Sequence, residues 1–515
     1  MGNHHSHKSR DVSPNSSHNG SRKSIPRTSS GADIQDKPEK TNEKPFDQML
    51  PIERLAKILS DKAQAEDHIN GITYNVFYKY LFPRYPILAD KLYRYFYNQS
   101  NSKNDFIIPA SFKQQCDKYL AILDDGVILD TWVKMWSTFD EVKDSYIITP
   151  DAFTSLLMCA YHVSMDHYSG GPQMCLSINK TLKAVVEGCF YQKQSLSSQY
   201  VSHWLADNVS RLLLPLHRYA VHAIATAWRH IDQNEPAEST GVGLTMPTTP
   251  TGLELTTPVL EQQGPFGQTK NHNPHLLTMS MSWLLAGALP ALYSRPQKAN
   301  SPSSSGTDRK FSIGLASMTF LSKIACSIPS HWTLLYDSDE QGLGANRFLH
   351  HVLGYKGPTI VIFRVENNQK FCVCSPCEWK ESHHYWGGEG AAVFQLLPKF
   401  QLLEKGSKLL YLNTMIRGYP QGLRAGSDPR DPIITVDGGF EKMEWKKIPY
   451  YIETIEVWGC GDQVQRERQL EVKKWEVKEA EKQRTLKLSA ADWLDHPDRY
   501  LLELAGRPQY HQNQT

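Results

Sequence analysis

The stretch that decides the fold is His331–Arg364, HWTLLYDSDEQGLGANRFLHHVLGYKGPTIVIFR. Trp332, Leu334 and Tyr336 alternate with Thr333 and Leu335, a short and mostly apolar run suited to a strand. Asp337, Ser338 and Asp339 are turn formers, and Gly342 and Gly344 permit positive φ. Phe348, Leu349, Val352 and Leu353 then recur at helical spacing, which gives one buried face. Gly354 suits a helix C-cap, and Gly357-Pro358 blocks continuation. Thr359 to Phe363 is a β-branched run that reads as a buried strand. On physics alone this is a strand–helix–strand piece of an α+β core with no chemistry attached.

Towards the C-terminus the sequence continues as short strands punctuated by turns. These are Lys370–Cys374, Val393–Leu396, Leu409–Leu412, Ile433–Val436 and Ile452–Trp458, with Trp379 and the loop Tyr385–Gly390 between them. Many strands and few helices predict a two-layer β-sandwich with packed helices.

The order of these pieces resembles a TLDc domain. An LLY strand precedes a glycine turn, and a helix leads into GYKGPT. A strand is followed by Trp379, a Gly-Glu loop precedes VFQL, and IEVWGCGD closes the set. The residues that carry the resemblance are Trp332, Tyr336, Gly342, Phe348, Gly354, Gly357, Trp379, Gly388, Glu389, Trp458 and Gly459. It covers roughly residues 275–462, with a Pro/Ser-rich insertion at 294–310, and Cys372 and Cys374 stand where small residues are expected. Residues 463–515 follow as a charged helix and tail, read as an exposed or partner-binding arm. That region is similar to the ends of N-myristoylated TLDc proteins, namely the fungal restriction of telomere capping protein 5 type and the metazoan mTOR-associated type.

The resemblance implies a non-enzymatic, membrane-tethered adaptor that binds a protein complex on an endomembrane. The implied complex is the vacuolar or lysosomal proton-pumping ATPase, or TOR signalling, with a role in oxidative-stress resistance. The implied location is cytoplasmic and peripheral on lysosomal, vacuolar or other endomembranes.

Residues 46–232 read as helical, with long segments such as Ile52–Ile58, Ile87–Phe96 and Phe153–His162. Three sites share a pattern: Ile72-Thr73 leads to Phe77, Ile107-Ile108 to Phe112, and Ile148-Thr149 to Phe153. Each is similar to the second half of an EF-hand. The calcium chemistry is missing, however. Tyr146 takes the place of the central glycine, and Ala152, Val76 and Ser111 take the places of the final acidic ligand. Residues 233–274 form a Pro/Thr-rich linker. The apolar run Leu276–Tyr293 holds Thr278, Ser280, Ser282 and Pro290, whereas a span needs roughly 20 predominantly apolar residues. It reads as a buried helix ending near Pro290, not as a transmembrane segment.

Residues 1–45 are poor in large apolar groups and read as a disordered tail. Met1-Gly2-Asn3-His4-His5-Ser6 fits the myristoylation pattern, with Gly2 as the acyl acceptor. One acyl chain binds membranes only marginally. Lys8, Arg10, Arg22, Lys23 and Arg27 supply a second, basic signal, worth about 1 kcal/mol each near an anionic leaflet.

The formal net charge of +2 over 515 residues gives no field that points to nucleic acid. Nine irregularly spaced cysteines suit a reduced compartment. Cys372, Cys374 and Cys377, with His383 or His384, are a weak zinc set and read better as packed thiols. His350 and His351 diverge by about 100° on a helix and do not form an acid–base pair. Glu389, in a glycine-rich loop, is the most suggestive acid, and an uncharacterised enzyme with an acidic site around it is the alternative reading. No Gly-x-Ser-x-Gly, phosphate loop, HExxH or dinucleotide fingerprint occurs. The sequence thus predicts no catalytic residue, no metal site, no cofactor and no enzymatic activity.

Overall fold

A computed structural model describes residues 50–100, 104–142, 144–165, 177–231, 257–261, 275–294, 330–484 and Leu504. Gly2, the basic residues Lys8, Arg10, Arg22, Lys23 and Arg27, most of the 233–274 linker, the insertion beyond Ser294 and nearly all of the tail past Arg484 lie outside the described residues.

The chain is α+β, with a helical N-terminal region and a C-terminal curled sheet. The helical region runs α1 (Pro51–Glu66), α2 (Tyr74–Leu81), α3 (Pro86–Gln99), α4 (Pro109–Leu120) and α5 (Asp125–Trp136). After strands β1 (Thr138–Asp140) and β2 (Ser145–Ile148) come α6 (Pro150–Ser164) and α7 (Ile178–Phe190). Strand β3 (Leu196–Ser197) then leads to α8 (Ser198–Asn208), α9 (Leu214–Thr226) and α10 (Trp228–Ile231).

Helix starts follow local chemistry. Pro opens α1, α3, α4 and α6, where its missing N–H costs nothing. The hydroxyls of Thr73 and Thr149 cap α2 and α6 by accepting from the N–H groups of Val76 and Ala152. Ile72 and Ile107 exchange backbone hydrogen bonds of 2.8 and 3.0 Å. Ile148 instead pairs with Leu196 across β2 and β3.

The apolar run after His275 is not one long helix. Thr278 caps α11 (Met279–Ala288), Pro290 interrupts, and α12 (Ala291–Ser294) follows. Among the described residues, no helix is long and apolar enough to cross a membrane.

Eleven strands form one sheet among the described residues. They are β4 (Val259–Glu261), β5 (His331–Asp337), β6 (Thr359–Val365), β7 (Gln369–Ser375), β8 (Ala392–Leu397), β9 (Gln401–Lys405), β10 (Leu410–Asn413), β11 (Gly422–Ala425), β12 (Ile434–Val436), β13 (Lys442–Trp445) and β14 (Ile448–Gly459). The long strand β14 organises the rest. Its first half pairs with β13, while its second half lies between β5 and β6, with register irregularities on both sides. Side chains alternate between the faces. Ile360, Ile362, Cys372, Cys374 and Trp458 join the core that the N-terminal helices share, whereas Val361, Phe363, Val373 and Val457 join a second core with Phe348 and Trp379.

Three buried tryptophans each donate to a fixed acceptor, as a buried indole requires. Trp332 donates to the Tyr293 carbonyl at 2.9 Å, Trp379 to Thr359 Oγ1 at 2.6 Å, and Trp458 to Glu456 at 2.9 Å. Tyr336 donates to the Gly342 carbonyl at 2.7 Å and meets the Phe348 ring edge-to-face. Gly354 ends the helix Ala345–Val352 at φ +81°. Gly357 and Gly459 both lie against Tyr355, and a Cβ on Gly459 would stand 2.6 Å from its ring. The C-terminal helix Gln463–Arg484 docks on the same corner. The amide of Gln469 donates to the carbonyls of His351 and Leu353, each at 3.0 Å, which satisfies the open end of the helix Ala345–Val352.

Candidate metal centre

Glu456 lies in the C-terminal half of β14, between Ile455 and Val457, and is 2% exposed. Its strand register places it opposite Asp337 at the end of β5 and Ile362 of β6. Asp337 ends its strand as the cap of the short helix Ser338–Gln341, where Oδ1 accepts from the Asp339 N–H at 2.9 Å. His275 arrives from a distant part of the chain, at the start of the segment that leads into α11.

The three side chains converge. His275 Nδ1 is 3.2 Å from Glu456 Oε1 and 3.7 Å from Asp337 Oδ2, and the three ligand atoms lie within 4.8 Å of one another. The segment after His275 adds backbone donors to the same carboxylate. The Leu276 N–H donates to Oε1 at 2.5 Å and the Leu277 N–H to Oε2 at 3.1 Å. Together with Trp458 and His275, they occupy about four lone-pair positions, the full capacity of a carboxylate.

The electrostatics follow from this packing. Burial pushes the Glu456 carboxyl upward, but hydrogen bonds from His275, Trp458 and the Leu276 N–H outweigh it and hold the group below the usual carboxylate range. The hydrogen bond to Glu456 raises the His275 imidazole above its ordinary value, against the opposing effect of burial. Asp337 fares differently. Burial, with repulsion from Glu456 and Asp339, pushes it up to about 6 despite the Asp339 N–H. Two shielded carboxylates therefore face one imidazole, and the deficit of positive charge falls on Asp337. The other ring nitrogen, His275 Nε2, is buried and has no hydrogen-bond partner among the described residues.

One imidazole and two carboxylates suit a borderline divalent cation such as Zn(II) or Mn(II). Metal–ligand distances of about 2.0–2.1 Å set tetrahedral ligand–ligand edges of about 3.3 Å. The observed separations of 3.2 and 3.7 Å bracket that edge. A cation on the His275 side of Glu456 would replace the shared proton and leave the three other donors in place. It would also neutralise both carboxylates. Three protein ligands leave a fourth position for water or substrate, the pattern of catalytic rather than closed structural sites.

This cluster corrects the expectation of a non-enzymatic adaptor without a site of its own, and with it the flat assignment of no enzyme. The adaptor reading rested on the family resemblance and on the lack of a local catalytic motif. Here the ligands come from three separate elements, with His275 and Glu456 181 positions apart.

The acid, cysteines and histidines singled out in the sequence lie elsewhere. Glu389 is exposed in a turn and is not part of the cluster. Cys372 and Cys374 are buried on one face of β7 with their sulfurs 3.4 Å apart, while Cys377 is exposed with its thiol towards the Gly387 carbonyl. His383 and His384 are exposed neighbours, so the Cys-x-Cys-x-x-Cys set is not gathered round one point. His350 and His351 sit edge-to-face, and His351 also stacks on Tyr336. Burial, then Lys473, His350 and Arg466, push His351 down to about 4.

With this geometry in view, comparison with known families shows that residues 312–461 fit the model of the TLDc domain. The chain contains a TLDc domain. Asp337 and Glu456 belong to the matched stretch, and His275 precedes it. No curated protein matches the chain.

Proposed function

We propose that the TLDc domain, completed by His275, holds a divalent cation, and that the chain acts through it as a metal-dependent catalytic or binding protein. The observation that carries this reading is the buried convergence of His275 Nδ1, Asp337 Oδ2 and Glu456 Oε1. A cation there would supply Lewis-acid polarisation or an activated water at its open position. The chain's own contribution is to fix the ligands. The Asp339 N–H orients Asp337, and Trp458 with the Leu276 and Leu277 N–H groups orients Glu456.

Thermal unfolding of the metal-stripped protein, with and without Zn(II) or Mn(II), tests the reading. Saturating cation should raise the midpoint by several degrees, because ligand binding to the native state alone stabilises it. Asp337→Asn should fold and lose that rise. An unchanged wild-type midpoint would remove the proposal.

A second reading has its own observation. Glu456 already accepts hydrogen bonds from two backbone N–H groups and an indole, so the cluster serves equally as a lock that fixes residues 275–277 on the sheet. A lock predicts loss of stability in Glu456 variants and no response to cations.

Two finer points are also proposed. The helix–loop–helix units around Ile72, Ile107 and Ile148 are EF-hand-like pairs, supported by the Ile72–Ile107 bridge. The order of Gly2, helical region, TLDc domain and charged helix supports kinship with the N-myristoylated TLDc proteins. Metabolic labelling with a myristate analogue, lost in Gly2→Ala, tests the acyl site.

A further inference from the structure

We propose that residues 275–278 form a strap, and that strap docking and cation occupancy are a single equilibrium. This rests on the metal-site reading above. His275 is the ligand that the TLDc stretch itself does not supply. It reaches the site only because the following residues are held on the sheet at several points. The Leu276 and Leu277 N–H groups donate to Glu456, and their side chains are 3% and 2% exposed. From the other side, Lys370 Nζ donates to the Leu276 carbonyl at 2.9 Å. Lys370 is a positioning residue, since it clamps the strap and is not one of the three ligands.

Beyond the strap, Thr278 caps α11. That helix is tied to the helical region through Ser280, whose hydroxyl meets Ser177 at 3.0 Å and Thr181 at 2.7 Å. The strap therefore joins the helical core to the sheet, and the ligand set is complete only when it is seated. The ligands are also shielded, with side-chain exposures of 9% for His275 and Asp337 and 2% for Glu456. A cation enters or leaves when the strap lifts, and a bound cation holds it down.

Hydrogen exchange in the full chain tests this at the Leu276 and Leu277 amides. In the wild type, Zn(II) should slow their exchange by tenfold or more, with about one cation bound per chain. In metal-free Lys370→Met, their exchange should quicken about tenfold, the loss of one charge-assisted hydrogen bond. One Zn(II) bound with unchanged exchange at both amides would overturn the strap and leave the metal site standing. Failure to bind Zn(II) at all would overturn both, and the wild-type arm needs no variant to fold.

Discussion

Two sheltered histidines are shifted in opposite directions. His217 lies in the helical core, on α9, with Nδ1 3.1 Å from the Tyr119 hydroxyl and Trp132 nearby. Burial pushes it down to about 4, and Arg218 adds to the effect. His275 lies where the strap meets the sheet, and its hydrogen bond to Glu456 lifts it above its usual value. The residue type is the same and both are sheltered from water. The difference is the partner: a neutral hydroxyl leaves desolvation in control, and a carboxylate reverses it. The polar contact of His217 in the helical core is to a neutral group, whereas at the junction two carboxylates face His275, the arrangement on which the proposed metal site rests.

The sharpest way to break the contrast is Glu456→Gln. It removes the carboxylate and leaves the Leu276, Leu277, Trp458 and His275 donors poorly matched. The expected loss is about 4 kcal/mol in denaturant unfolding, the scale of a broken buried charge pair. By NMR, His275 should then titrate below its usual value, the direction in which burial pushes His217. A His275 that stays raised would show that Glu456 is not the cause.

Acid tests the other member. A histidine depressed in the folded state contributes stability that is present above its unfolded value, about 6.5, and is lost as pH falls towards its folded value. For His217 the window is pH 6.5 to about 4, and the loss is about 3 kcal/mol. His217→Gln should flatten stability across that window. An equal slope in the variant would assign the acid sensitivity elsewhere.

His275 carries the opposite sign and a smaller effect, because Glu456 keeps its other donors. A raised histidine contributes stability that is complete below about 6.5 and is lost as pH rises through its folded value. His275→Gln in metal-free protein should remove a decline on the alkaline side. The smallest effect is expected away from both histidines. Trp379→Phe deletes the bond to Thr359 in the second core and should cost about 1 kcal/mol without changing either titration.

The secondary structure from His331 to Arg364 was largely legible, because period-two and helical spacings are local signals. The strands His331–Asp337 and Thr359–Val365 and the helix Ala345–Val352 lie where the apolar patterns fall. The turn formers after Tyr336 wind into one short helix, since Asp337 caps it with its own side chain. The candidate metal centre was not legible. Asp337 reads as a turn former, His275 as the boundary between the linker and the TLDc-like region, and Glu456 as one letter of a closing motif. They meet only through the β5–β14 register and the path of the strap, and no local spacing encodes either. One signal was present. Glu456 stands among Ile455, Val457 and Trp458, and an acid in a strand buried on both faces must find compensating partners. Glu389 drew attention because it sits beside glycines, yet an exposed turn carries no such demand.

Calorimetric titration of the metal-stripped full chain with Zn(II) tests the central claim most directly. Run at neutral pH in two buffers of different ionisation enthalpy, it should show one saturable site per chain. The heat should depend on the buffer, because the cation displaces the proton shared by His275 and Glu456. His275→Gln should abolish the site. A wild-type titration with no saturable heat, from protein shown to be folded, would contradict the account and leave the cluster as a lock.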